Sequence, residues 1–246
     1  MDRWIGRVAV VTGASSGIGA AIAKDFAKAG MICVGLARRV ERIEALKDQL
    51  PAEARDRLHA LKCDVSKEED ILGSFKWIEE TFGGVDVLVN SAGVLRDTNI
   101  VDANNTQMLR ELMDTNVMGL VLCSREAFQS MKKRNVDGHI VHINSTSGHY
   151  IIPFSQMNLY PASKYAVTAI TEVMRHELRT AGTKVKVTSI SPGWVRTEIV
   201  PEEYLNQSDL PMLDAADVSS AVLYAIGTPP HVQIQEIMMH PVGEEC

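Results

Sequence analysis

Seven short apolar runs punctuate the chain: Val8 to Val11, Ile32 to Leu36, Leu58 to Leu61, Val85 to Val89, Ile140 to Ile143, Val185 to Ile190 and Ile234 to Met238. They are largely continuous rather than alternating, the pattern of strands covered on both faces. Between them, helix-like patterns lie near residues 17–29, 40–50, 67–81, 106–133, 159–180 and 214–226. This alternation predicts an α/β architecture, a doubly wound parallel sheet of seven strands with helices on both faces. No repeat, low-complexity tract or linker divides the 246 residues, so one domain is expected over 1–246. The least regular stretch, about 193–213 with Pro201 and Pro211, is a candidate loop over a binding site.

Composition narrows the function class. A formal net charge of -6, with no basic run longer than Lys132-Lys133-Arg134, argues against nucleic acid as a partner. No apolar stretch reaches the roughly eighteen residues of a membrane span, and the first residues lack the pattern of a secretory signal, so a cytoplasmic location is expected. Cys33, Cys63, Cys123 and Cys246 form no CxxC pair and the histidines lack ligand spacing, so no metal is expected. The cysteines read as buried or tail thiols in a reducing compartment. His139 and His142, three apart in a strand, should point to opposite faces.

The first predicted strand ends at Thr12, and Gly13-Ala-Ser15-Ser16-Gly17-Ile18-Gly19 follows before an apolar helix. Glycines allow a tight turn and close backbone approach, and a helix N-terminus offers free amides to a phosphate. The spacing is neither the Gly-x-Gly-x-x-Gly fingerprint nor a Walker loop, and a purely structural turn fits it as well. After the second strand, Arg38 and Arg39 follow Ala37, where an acid would grip a ribose 2'-hydroxyl; two arginines suit a 2'-phosphate, which favours NADP over NAD. Asp64 and Val65 after the third strand, and Asn90, Ala92 and Gly93 after the fourth, are further candidates to meet the cofactor, although either turn also suits ordinary loop chemistry.

Tyr160 and Lys164 stand one helical turn apart in Asn158-Leu-Tyr-Pro-Ala-Ser-Lys164. Two ordinary neighbours on a helix face look the same. Downstream of a nucleotide loop they form a candidate proton-transfer pair. A phenol of pKa about 10 carries protons poorly at neutral pH, and an adjacent ammonium lowers that value. Lys164 is therefore expected to bring Tyr160 toward the working range.

Thr12 to Gly19, Asn90 to Gly93, Asn116, Ile143-Asn-Ser-Thr-Ser-Gly148, Tyr160 to Lys164 and Ser191-Pro-Gly193 fall in the order of the short-chain dehydrogenases/reductases, which the chain resembles over essentially its whole length. His149, the run from Tyr160 to Val167 and the ending His231 to Ile237 resemble its farnesol dehydrogenase-like branch. The resemblance implies a single-domain Rossmann fold and an NADP-dependent oxidoreductase. Its substrate would be a small apolar alcohol or carbonyl compound, farnesol first, with a steroid or dicarbonyl as the alternative. It implies catalytic roles for Asn116, Ser145, Tyr160 and Lys164, with Lys164 also on the nicotinamide ribose, and a cover for the nicotinamide from Pro192, Gly193, Val195 and Thr197.

For the serine, anchoring the strand-end pattern on Gly148 selects Ser145, the preferred choice, whereas counting thirteen residues back from Tyr160 selects Ser147. Tyr150, Phe154, Met157, Tyr204, Leu205, Met212 and Leu213 are candidates to shape the substrate pocket, or equally to pack the core. A homodimer or homotetramer, built on the helices near 106–133 and 159–180, is implied as well. A cofactor-binding sensor without turnover is the reading from a different class, since fold alone does not establish activity.

Overall fold

The computed structural model describes residues 1–151, 157–206 and 210–244, apart from the side chain of Glu203. Phe154 and Cys246 lie outside the described residues. The apolar runs become β1 (Val8–Thr12), β2 (Ile32–Ala37), β3 (Leu58–Lys62), β4 (Val87–Asn90), β5 (His139–Ile143), β6 (Lys186–Pro192) and β7 (Glu236–Met239). They join in the order β3-β2-β1-β4-β5-β6-β7, with every neighbouring pair parallel. The order reverses between β1 and β4, which opens a crevice at the carboxyl ends of the strands.

The helices are α1 (Gly17–Lys28), α2 (Val40–Leu46), α3 (Ala52–Arg55), α4 (Glu68–Phe82), α5 (Thr106–Met113), α6 (Leu120–Lys133), α7 (Tyr160–Thr180), α8 (Glu202–Leu205) and α9 (Ala215–Gly227). On one face of the sheet Ala9 and Val11 of β1 pack with Ile22 and Phe26 of α1, Ile43 of α2 and Val222 of α9. On the other, Val8 and Val10 pack with Ile71 and Phe75 of α4, Met131 of α6 and Leu178 of α7. Alternate residues of one strand thus feed two cores, which is why the run is apolar throughout. The edge strands lack this second cover: Lys62 of β3 and Glu236 of β7 are exposed.

Two departures from the pattern have local causes. The helix expected over 40–50 ends at Leu46 and tightens into a 3-10 turn, because Leu50 precedes Pro51 and is extended (φ -98, ψ 147). The long helix expected over 106–133 contains a π-helical stretch, Asp114–Gly119, between α5 and α6. There the backbone approaches the turn after β3 so closely that a Cβ on Gly119 would lie 2.6 Å from the Val65 carbonyl oxygen. No helix among the described residues is long and apolar enough to cross a membrane.

Candidate active site

The crevice is built first from close backbone contacts. Thr12, the last residue of β1, accepts hydrogen bonds at its Oγ1 from the backbone N–H groups of Ser91 and Ala92, each at 3.0 Å. Gly13 has φ +68, and a Cβ there would meet Ala92 Cα at 2.8 Å; one on Gly19 would meet the Gly13 carbonyl oxygen at 2.4 Å. The glycine spacing therefore serves the junction of β1, β4 and α1. No side chain caps α1 at Ser16, which leaves first-turn amides for an anion.

A cavity of about 860 Å³ runs along this junction to Tyr160 and Lys164. Its wall includes Gly13, Ser15, Ser16, Gly17, Ile18, Gly19, Arg38, Arg39, Asp64, Val65, Ala92, Gly93, Pro192, Gly193, Val195 and Thr197, which the sequence nominated for the cofactor. Uncapped amides at one end and two guanidinium groups at the second strand fit a phosphorylated dinucleotide. Asn90 is the nominee that stands apart. Its side chain is buried, and its Nδ2 donates to Ser124 Oγ at 2.8 Å in α6, so it braces the scaffold behind the cavity. The Asp64 carboxylate accepts from the backbone N–H and hydroxyl of Ser66, at 3.1 and 2.8 Å, and so holds its own turn while lining the wall.

At the other end the carboxyl terminus of β5 meets the start of α7. Ser145 follows the strand in an extended conformation, and its Oγ accepts from the Ser147 backbone N–H at 3.1 Å. Of the two serines, Ser145 is the one whose hydroxyl acts on the Tyr160 phenol, in the direction that lowers its pKa. Lys164 is buried one turn along; its Nζ donates to the Ile143 carbonyl at 2.9 Å and stands 5.6 Å from the centre of the Tyr160 ring.

The electrostatics differ from the expectation for Tyr160. Burial pushes its pKa above the usual phenol value, and the bond from Ser145 only partly opposes this. Burial also pulls the Lys164 ammonium down to about 8. Desolvation therefore dominates at both members of the pair.

Asn116 sits in the π-helical stretch, behind the cavity wall. Its Oδ1 accepts from the Val94 N–H at 2.8 Å, and its Nδ2 donates to the Val94 carbonyl at 3.0 Å and to Ser163 Oγ at 3.2 Å. It thus ties the segment after β4 to the residue beside Lys164.

The segment over the site is pinned at its base, where Leu213 N–H donates to the Trp194 carbonyl at 2.8 Å and Arg196 N–H to the Leu213 carbonyl at 2.9 Å. Trp194, Ile199, Val200 and Tyr204 line the cavity from this strap, and Met157 faces them from before α7. Tyr150, Leu205, Met212 and Leu213 do not line it, and residues 207–209 lie outside the described part. Two wall residues carry no signal in the sequence. Glu244 comes from the C-terminal segment to pair with His240 at 2.8 Å against Gly193, and Glu198 reaches back to Arg39 and Arg42. Only folding brings either carboxylate to the wall.

A phosphate turn at the β1–α1 junction, with a serine, tyrosine and lysine converging at the β5–α7 junction, defines a class of nucleotide-dependent oxidoreductase. A sequence profile described as short chain dehydrogenase matches residues 7–208. The chain belongs to the short-chain dehydrogenase/reductase family. It is 67% identical to farnesol dehydrogenase of Aedes aegypti over 245 residues, covering 100% of both chains. It is 45% identical to dehydrogenase/reductase SDR family member 11 of Gallus gallus, covering 99% of each. Among solved structures it is similar to the closed form of serine dehydrogenase complexed with NADP+, with a TM-score of 0.87, 32% identity, and 97% and 96% of the two chains covered.

Proposed function

We propose that this protein is an NADP(H)-dependent alcohol dehydrogenase and carbonyl reductase for an apolar substrate, with farnesol as the leading case. The observation that carries this reading is the convergence of Ser145, Tyr160 and Lys164 at the end of a cavity whose other end holds Arg38, Arg39 and the start of α1. The NADP-bound relative of similar fold and the farnesol dehydrogenase of high identity support the cofactor and the substrate respectively.

The glycine turn, Arg38 and Arg39 would hold NADP(H) at one end and Lys164 and the segment from Pro192 to Thr197 at the other, and the nucleotide so held would supply or accept the hydride. Ser145 orients the substrate oxygen beside the Tyr160 hydroxyl, a positioning and electrostatic task. Tyr160 gives its proton to a carbonyl oxygen in reduction and takes the alcohol proton in oxidation. Burial keeps Tyr160 a phenol at neutral pH, which suits the reductive direction. Asn116 positions Val94 and Ser163 around this pair. Trp194, Ile199, Val200, Tyr204 and Met157 give the substrate end its apolar wall.

The test is turnover by the purified protein, followed at the reduced-nicotinamide absorbance. Farnesol, a steroid alcohol and a diketone are compared with NADP(H) and with NAD(H). Farnesol with NADP+ is expected to give the highest kcat/KM. A steroid or diketone ahead of farnesol replaces the substrate, and a folded protein silent on a broad alcohol and carbonyl panel removes the enzymatic reading.

A further inference from the structure

Glu198 stands directly after Thr197, where the strap crosses the phosphate turn: a Cβ on Gly17 would lie 3.0 Å from Thr197 Cγ2. Its carboxylate is divided between two arginines, with Oε2 3.0 Å from Arg39 Nη2 and Oε1 2.6 Å from Arg42 Nη1. The same Arg39 Nη2 lies 3.4 Å from Ser16 Oγ, at the start of α1. Arg38 forms no ion pair among the described residues. One of the two guanidinium groups that suit a 2'-phosphate is thus already engaged by an internal anion, and that anion lines the cavity.

We infer that Glu198 is a specificity-determining positioning residue, an internal carboxylate that competes with the 2'-phosphate of NADP(H) for Arg39 and so limits preference over NAD(H). The inference rests on the cofactor reading above. A phosphate arriving at Arg39 meets a like charge and must share or displace it, which costs affinity. The 2'-hydroxyl of NAD(H) brings no charge and does not compete with Glu198 for Arg39. Glu198 therefore acts on one nucleotide and not on the other. Because it arrives from the strap, it also links the adenosine end of the cavity to the segment that covers the substrate end.

The experiment is calorimetric titration of NADP+ and NAD+ into the full-length protein and its Glu198→Gln, Glu198→Ala, Arg39→Ala and Arg39→Ala/Glu198→Gln variants. Glu198→Gln is expected to tighten NADP+ by about fivefold, the scale of an exposed ion pair, while NAD+ changes by less than about twofold. Glu198→Ala should shift NADP+ in the same sense. The gain should vanish when Arg39 is absent, because the two substitutions act through one contact. Equal shifts for both nucleotides, weaker NADP+ binding, or a gain that survives Arg39→Ala overturn the inference while leaving the cofactor reading intact. A wild-type protein that binds NAD+ but not NADP+ overturns both.

Discussion

Tyr160 and Lys164 show how far burial can reverse an expectation drawn from spacing. An ammonium one turn from a phenol should lower the phenol pKa, but Lys164 spends a hydrogen bond on the Ile143 carbonyl and is itself desolvated. Tyr160 therefore remains protonated through neutral pH. Replacing it with Phe removes the proton carrier and little volume. Tyr160→Phe is expected to lower kcat by about a thousandfold with NADPH binding retained, measured by steady-state kinetics beside nucleotide titration. Unchanged turnover would overturn the assigned role. The Lys164 value gives a second test at this scale. Below about pH 8 Lys164 is charged and available to ribose hydroxyls, and above it the charge is lost. In carbonyl reduction kcat/KM for NADPH should be level through neutral pH and fall as pH rises through about 8. A profile level to pH 10 would mean that another group sets the limit.

Among the elements, β4 shows how the two ends of a strand divide their tasks. The turn that follows its carboxyl end, Ser91 and Ala92, is tied to Thr12 and forms part of the cavity wall. Just before its start, buried Asp86 accepts from Val8 N–H at 2.9 Å and pairs with Arg134 at 3.0 Å; Arg134 also donates to the Val85 carbonyl. That cluster holds β1, β4 and the end of α6 in register, outside the cavity. Removing one partner leaves a buried donor or charge unsatisfied. Asp86→Ala is therefore expected to cost roughly 3 kcal/mol in denaturant unfolding while kcat/KM stays near wild type. A cost below about 1 kcal/mol would show that the pair is effectively solvated. The π-helical stretch has the same logic on the site side, since the winding it imposes places Asn116 on Val94 and Ser163.

For the molecule as a whole, two buried imidazoles couple stability to acid. His139 meets Thr188 at 2.8 Å; His142 lies on the opposite face between Ser124 and Thr171, at 3.2 and 2.8 Å. Burial lowers both pKa values to about 3. The unfolded chain binds protons at these positions from about pH 6.5 downward, whereas the folded chain does so only near 3. Their contribution is therefore fully present above about pH 6.5 and is lost as pH falls toward 3, at roughly 1.4 kcal/mol per pH unit for each. Thermal unfolding between pH 7 and pH 4 should show this fall, with a shallower slope in His142→Gln; an identical slope would count against the buried neutral imidazole. Met108 on α5, Met118 in the π-helical stretch and Val173 on α7 are exposed. Such faces suit burial between subunits. Light scattering should give two or four times the 27.0 kDa chain mass, and a monomer at micromolar concentration would remove that expectation.

Strand number and the alternation of elements were legible because both depend on local period and turn chemistry, whereas the ends of the helices expected over 40–50 and 106–133 were set by Pro51 and by the π-helical stretch. Val8 to Val11 is apolar at every position since both faces of β1 are covered, and the glycines after Thr12 mark where backbones touch. The choice between Ser145 and Ser147 was not legible. Two spacings gave two answers, and the fold sets Ser145 in extended backbone just after β5, where its hydroxyl acts on the Tyr160 phenol. Asn90 looked like a cofactor contact, and the pleat turned its side chain toward Ser124 instead. The engagement of Arg39 by Glu198 joins residues 159 positions apart. Sequence period thus determined the sheet, its cover and the order of the site motifs, since these follow from neighbouring residues along the chain. Tertiary structure alone decided which hydroxyl meets the tyrosine, how burial sets the tyrosine and lysine pKa values, and which carboxylate answers the arginine, because desolvation and ion pairing depend on what folding brings near.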